Sequence, residues 1–145
     1  MIGTILVPVD GSACAMHALA YACDLSKLIG GAKIEVCYAI DYLSLPGTLA
    51  KPPESAPDVQ LEEGEGILMK ARAVARKHGV GAQGCLVRGN AAKAIVRKAQ
   101  EEDADLIVMG THGRGGVRRL VLGSVAEAVA RRSRIPVLLV RDQST

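Results

Sequence analysis

Leu106-Ile107-Val108-Met109-Gly110-Thr111-His112-Gly113, followed after nine more residues by Gly123-Ser124, decides the reading of this chain. The apolar run Leu106 to Met109 reads as a strand buried on both faces, and it stops at a glycine. Gly113, Gly115 and Gly116 then share a short stretch with Arg114, Arg118 and Arg119, and Gly123-Ser124 opens a helical pattern. Glycine lets the backbone approach a ligand closely. A helix start presents N–H groups with no intrahelical partner, which suits an anion. Two readings follow: a phosphate site at the carboxyl end of a strand, or a glycine-rich turn with a solvated basic rim.

Working outward, the chain alternates strand and helix. Strands are expected over Thr4 to Val9, Lys33 to Ile40, Gly84 to Val87 (starting as early as Val80), Leu106 to Met109 and Ile135 to Val140. Helices are expected after Ser12, over Val59 to His78 with Asp58 as cap, over Ala91 to Glu102 with Asn90 as cap, and over Ser124 to Ser133. The first helix is capped by Ser12 or by Asp10 itself, and Gly30-Gly31 ends it. Leu43 to Pro57 holds Pro46, Pro52, Pro53 and Pro57 and reads as a long surface loop, able to cover a ligand or simply to connect. Gly64 and Gly66 weaken the first turns of the helix that follows.

Nearly continuous apolar strands separated by helices predict a single-domain, doubly wound α/β fold over residues 1–145, with five parallel strands and helices on both faces. The expected strand order is 3-2-1-4-5. In such a sheet ligands bind beyond the carboxyl ends of the strands, where the order reverses. Val9-Asp10-Gly11 and Met109-Gly110-Thr111 would then face one crevice.

Composition narrows the function classes. The 145 residues are 49% hydrophobic and 23% charged, a soluble globular composition sized for one core, with no Phe or Trp to fill it. No apolar run is long enough to span a membrane, and Met1 to Val7 lacks the basic region of a secretory leader. Cys14, Cys23, Cys37 and Cys85 are scattered without a CxxC pair, so zinc and a disulfide framework are disfavoured and buried thiols in a reducing cytoplasm are expected. The net charge of +3 is modest, but its distribution is not. Arg114 to Arg141 contains seven arginines against one acid, Glu127, whereas Glu54 to Glu65 contains five acids and no base. A basic patch suits nucleic acid, yet the base-stacking aromatics are limited to Tyr21, Tyr38 and Tyr42, so no nucleic-acid partner is expected.

The familiar phosphate loops fail. There is no GxxxxGK[ST], and Gly113 to Arg118 breaks GxGxxG at its last position. The spacing Gly110-x-x-Gly113, nine residues, Gly123-Ser124 does match the G-2x-G-9x-G-[S/T] motif of the universal stress protein family. The resemblance extends over Ile5 to Ser12, Ala104 to Gly113, Leu122 to Ala126 and Pro136 to Val140, nearly the whole chain. It implies the nucleotide-binding branch, with ATP or AMP as ligand. By that resemblance Asp10 approaches ribose and adenine, Ala39 contacts adenine through its backbone, and Pro8 and Val9 shape that wall. Met109 lines the base pocket, Val87 sits near its edge, and Gly110, Gly113, Gly123 and Ser124 hold phosphates and ribose.

The chemistry of the residues agrees. The N–H groups of Ser124 and Val125 lie at a helix start, and the Ser124 hydroxyl adds a donor. Asp10 accepts only, which suits a ribose diol and not a phosphate, so Mg²⁺ is expected to come with the nucleotide, held by its phosphates and not by protein ligands. One of Arg114, Arg118 and Arg119 reaches the phosphates, or all three keep the loop solvated. His112 is a weak acid or base, or a residue that orders the loop. With charge but no evident base for water, catalysis is expected to be at most a weak ATPase. Three functions stay open: a regulatory nucleotide-binding protein with an unknown protein partner, a slow ATP hydrolase or self-phosphorylating protein, and a nucleotide-independent interaction module. The last strand, Val137 to Val140, would leave an apolar edge, and family members pair through it, so a homodimer is expected.

Overall fold

The computed structural model describes residues 1–41, 56–113 and 122–142. Five strands, β1 (Thr4–Pro8), β2 (Lys33–Ile40), β3 (Ala82–Arg88), β4 (Leu106–Gly110) and β5 (Val137–Val140), alternate with four helices, α1 (Ala13–Leu28), α2 (Ala56–Lys77), α3 (Ala91–Glu101) and α4 (Ser124–Arg132). All strand pairs are parallel, and the order is β3-β2-β1-β4-β5. This is the doubly wound sheet the alternation predicts. It reverses between β1 and β4, so the C-terminal ends of those two strands open one crevice.

Strand alternation sorts the core into two layers. Ile5, Val7, Ile34 and Val36 pack with Ala18 and Leu19 of α1 and with Ile67, Leu68 and Ala71 of α2. Leu6, Cys37, Ile107 and Met109 point the other way, onto Ala92 and Ile95 of α3 and Ala126 and Val129 of α4. Small residues on the helix faces let the backbones come close to the sheet, which is how a chain without Phe or Trp fills its interior. Among the described residues no helix is long and apolar enough to cross a membrane.

Several boundaries differ from the sequence reading. Helix α2 begins at Ala56, so Pro57 lies in its first turn and Asp58 lies inside the helix and is not its cap. Proline is tolerated there because a first-turn N–H has no helical partner to lose. The rest of the expected proline-rich loop, residues 43–55, lies outside the described residues. Strand β3 starts at Ala82, within the expected range, and runs one residue further, to Arg88, and β5 starts at Val137, although the Pro136 carbonyl still accepts from Ile107 N–H at 3.0 Å. His78, expected at a helix C-terminus, stands just past α2 and brings its Nδ1 within 3.1 Å of Asp24 Oδ1 on α1.

The two glycines that weaken α2 as a sequence have opposite roles in it. A Cβ on Gly64 would come within 2.7 Å of both Leu86 Cδ2 and Tyr38 Cδ1, so this glycine lets the helix lie against β2 and β3. A Cβ on Gly66 would meet nothing within 4 Å. Gly66→Ala is therefore expected to raise stability by about 0.5–1 kcal/mol through helix propensity and a less free unfolded chain. Gly64→Ala gains the same and loses about 1–3 kcal/mol to overpacking, for a net loss. Urea unfolding of the two variants should move in opposite directions; a common sign would refute the packing role of Gly64.

The start of β1 is held by Asp105, whose Oδ2 accepts from Gly3 N–H at 2.8 Å and from Thr4 N–H at 3.1 Å. These backbone hydrogen bonds hold its carboxyl below the usual carboxylate range. A depressed folded-state pKa stabilises the protein above the unfolded value near 4 and loses that contribution as pH falls through the folded value. Asp105→Asn should therefore lower stability at neutral pH and flatten its decline in acid. Thermal melts between about pH 7 and pH 2 read both effects.

Candidate functional site: a cleft at the sheet reversal

The segment after β1 is shaped by short polar contacts. Ser12 Oγ accepts from Ala15 N–H at 3.1 Å and is the N-cap of α1. Asp10 is not that cap. Its Oδ1 accepts from Ser12 N–H at 2.9 Å, and its Oδ2 lies against Gly113, where a Cβ would collide with it. Val9 N–H donates to Cys37 O at 2.8 Å, which ties this segment to β2.

The segment after β4 is pressed in at three glycines. A Cβ on Gly110 would come within 2.7 Å of Cys14 Sγ and 3.1 Å of the Cys14 carbonyl carbon. On Gly113 it would meet the Asp10 carboxylate, and on Gly123 it would lie 2.9 Å from Thr111 O and 3.0 Å from His112 Cα. Left-handed glycine backbone falls elsewhere among the described residues, at Gly11, Gly30, Gly31, Gly79 and Gly89. Close approach, and not a special φ, is thus what the spacing Gly110, Gly113, Gly123 satisfies. Gly123 N–H donates to Thr111 O at 2.7 Å and brings the start of α4 against the end of β4. Thr111 is held in turn by Val140, whose carbonyl accepts from its N–H at 3.1 Å, and its hydroxyl meets His112 Nδ1 at 3.1 Å. His112 therefore has a partner that orders it within this segment.

Helix α4 starts differently from its neighbours. Ser12 caps α1 and Asn90 caps α3 through their side chains, but Gly123 at the N-cap of α4 offers none. The first backbone bond across its start is Glu127 N–H to Gly123 O at 2.9 Å. The N–H groups of Ser124 and Val125 consequently begin a helix without a side-chain acceptor, and both residues are exposed.

These pieces surround a cleft of about 660 Å³, ample for a mononucleotide-sized ligand. Pro8, Val9, Asp10 and Ala39 line one side of it. Met109, Gly110, Gly113, Gly123, Ser124 and Val125 line the other. Of the residues singled out in the sequence, Val87 does not line it; it sits on β3 beside Ala39 in the register. Arg114, like Arg118 and Arg119, lies outside the described residues. The sequence reading missed Ala91 and Ile95 of α3, and Leu122 and Glu127 around the start of α4. Ala91 and Ile95 were spaced as ordinary core positions of an amphipathic helix. The one available signal was that α3 also starts at the carboxyl end of a strand.

The family model for the universal stress protein family matches residues 1–141. The chain belongs to the universal stress protein family. A universal stress protein of Thermus aquaticus is 40% identical to it, with 97% of this chain and the whole of that one covered. Among solved structures, a universal stress protein in complex with cAMP is 30% identical with a TM-score of 0.73, covering 96% of this chain and 97% of that one. The Archaeoglobus fulgidus universal stress protein in complex with dAMP is 25% identical with a TM-score of 0.68, covering 97% and 98%. As a universal stress protein, this chain carries its family's glycine spacing at the cleft where β1 and β4 diverge.

Proposed function

We propose that this universal stress protein is a regulatory adenine-nucleotide-binding protein, taking ATP or AMP in the cleft at the sheet reversal. One observation carries the reading: the uncapped start of α4, the closely packed Gly110 and Gly113, and the Asp10 carboxylate against Gly113 line one cleft of nucleotide size. The N–H groups of Ser124 and Val125 would hold phosphate, with the Ser124 hydroxyl as a further donor. Asp10 Oδ2 would accept from the ribose diol, while Pro8, Val9, Ala39 and Met109 form the apolar wall for the base. The relatives solved with cAMP and dAMP support an adenine ligand. Mg²⁺ would accompany ATP on its phosphates, and Arg114 would add charge on the phosphate side. Of the cleft's proton acceptors, His112 is held by Thr111 and Glu127 is paired with Arg131, so turnover would be slow at most.

Strand β5 stands at the edge of the sheet, and its apolar residues support a homodimer paired through Val137 to Val140. Four free thiols and a partner-binding role suit the cytoplasm. The deciding experiment is mass analysis of nucleotide released on denaturing freshly purified protein. An adenine nucleotide in near-stoichiometric amount is expected; none released, together with no binding at millimolar ATP or AMP, overturns the reading. Light scattering should give a dimer at micromolar protein, and a monomer overturns the β5 pairing.

A further inference from the structure

Apart from Arg114, the arginine excess toward the end of the chain has no part in the proposed nucleotide site. Part of it converges elsewhere. On the side of α3 and α4 away from the cleft lies a groove of about 460 Å³, lined by Lys93, Val96, Arg97, Gln100, Arg132 and Arg134. The four cations are exposed, and none of them forms an ion pair among the described residues. Arg97 is anchored by donating to Arg88 O at 3.1 Å. Of the acids nearby, Glu127 is engaged by Arg131 at 3.4 Å and Glu102 by Lys98 at 2.8 Å, while Glu101 is one turn on from Arg97 and is exposed. The groove thus keeps four positive charges unanswered around an aliphatic floor at Val96.

We propose that this groove docks an acidic segment of a partner protein, and that the nucleotide cleft controls it. Resting on the regulatory reading above, this names the surface through which regulation would leave the molecule. The ligand chemistry follows from the lining. Guanidinium groups pair with carboxylates, and Val96 offers a seat for an aliphatic side chain between them. No aromatic residue lines the groove, so it offers no platform for base stacking. The connection to the cleft is mechanical. Ala91 and Ile95 of α3 and Ser124 to Glu127 of α4 line the cleft, while Lys93 lies between those two α3 residues and Arg97 and Arg132 sit further along the same helices. Ile95, Ala99, Ala126 and Val129 pack the two helices onto one layer of core. Phosphate captured at the start of α4 would therefore bias the position of Arg132 at its end.

The test uses fluorescence anisotropy of a short labelled peptide with Glu and Asp flanking a central leucine. The comparators are a neutral peptide of equal length, a single-stranded oligothymidylate and inorganic polyphosphate. The acidic peptide should bind at low salt, weaken as salt rises, and lose about tenfold affinity in Arg132→Ala/Arg134→Ala. Adenine nucleotide should bind that variant as it binds the wild type, since neither arginine lines the cleft. Saturating nucleotide should change peptide affinity, and peptide should change nucleotide affinity by the same factor. Equal peptide binding by wild type and variant overturns the groove. Tighter binding of oligothymidylate or polyphosphate overturns the choice of ligand. Peptide affinity indifferent to bound nucleotide overturns the coupling. A protein that binds peptide at the groove but no nucleotide separates failure of the regulatory reading from failure of the docking site.

Discussion

Gly110→Ala is expected to destabilise the fold by about 1–3 kcal/mol, seen as a fall of several degrees in melting temperature. The added methyl group would stand 2.7 Å from Cys14 Sγ and 3.2 Å from Cys14 O. Neither can yield easily. Cys14 is buried in the first turn of α1, and its thiol lies 3.6 Å from Val140 O, toward which it donates. Relief requires α1 to move away from β4, and Ala15, Ala18 and Leu19 hold α1 in the same core as Ile5 and Val108. Gly110→Val should cost more, because its extra methyls meet the same wall. A double-mutant cycle with Cys14→Ala checks the cause. If the thiol is the obstacle, the pair should cost less than the two single losses added together. Additivity within about 0.5 kcal/mol would mean that Gly110 is not pressed on that side chain. Nucleotide is absent from this prediction, so it tests the motif as architecture.

That architectural role was hidden in the sequence for a physical reason. The strands were legible because residues such as Ile5 to Val7 and Leu106 to Met109 are buried on both faces and so form unbroken apolar runs. Right-handed crossovers put helices on both faces of the sheet but do not by themselves fix which strands are neighbours. The helix caps Ser12 and Asn90 were legible because capping is local chemistry. Pro57 was misread because proline ends a helix interior yet suits a first turn, and the sequence does not say which turn it occupies. Gly64 looked like a flaw because its reason, the Leu86 and Tyr38 side chains, lies on other elements.

The cleft divides along the same line. Of the twelve positions singled out by the motif, the helix start and the family resemblance, ten line one cavity. Ile95 and Glu127 were not among them, since side chains spaced as core or as a solvated helix face come to line a cleft only through packing. The sequence assigned Gly110 and Gly113 to N–H convergence on phosphate. The structure adds that both are crowded by α1 and by Asp10 before any ligand is considered. The three glycines therefore need not respond alike to substitution, and this separates the remaining prediction from the first.

Gly113→Ala should cost the unliganded fold no more than about 1.5 kcal/mol, the worth of one hydrogen bond, while weakening adenine-nucleotide binding by about 100-fold. Gly113 is exposed, so its methyl group displaces no core. It would strike the Asp10 carboxylate, and either that side chain or the Gly113 backbone must give way. Asp10 is held on its other oxygen by Ser12 N–H at 2.9 Å, so moving it also breaks the turn that precedes α1. Each form of relief spoils the proposed site, one by turning the ribose acceptor aside and the other by withdrawing backbone from the phosphates. A thermal-shift titration reads this directly. Nucleotide at about 100 times the wild-type Kd should stabilise the wild type by about 2.7 kcal/mol. The same concentration should stabilise a variant weakened 100-fold by only about 0.4 kcal/mol. Asp10→Ala in the Gly113→Ala background removes the carboxylate and with it the collision. If steric conflict is the cause, that double variant should bind no worse than Asp10→Ala alone. If adding Gly113→Ala to Asp10→Ala costs a further 100-fold, the backbone at Gly113 itself approaches the nucleotide, and the crowding at Asp10 is incidental.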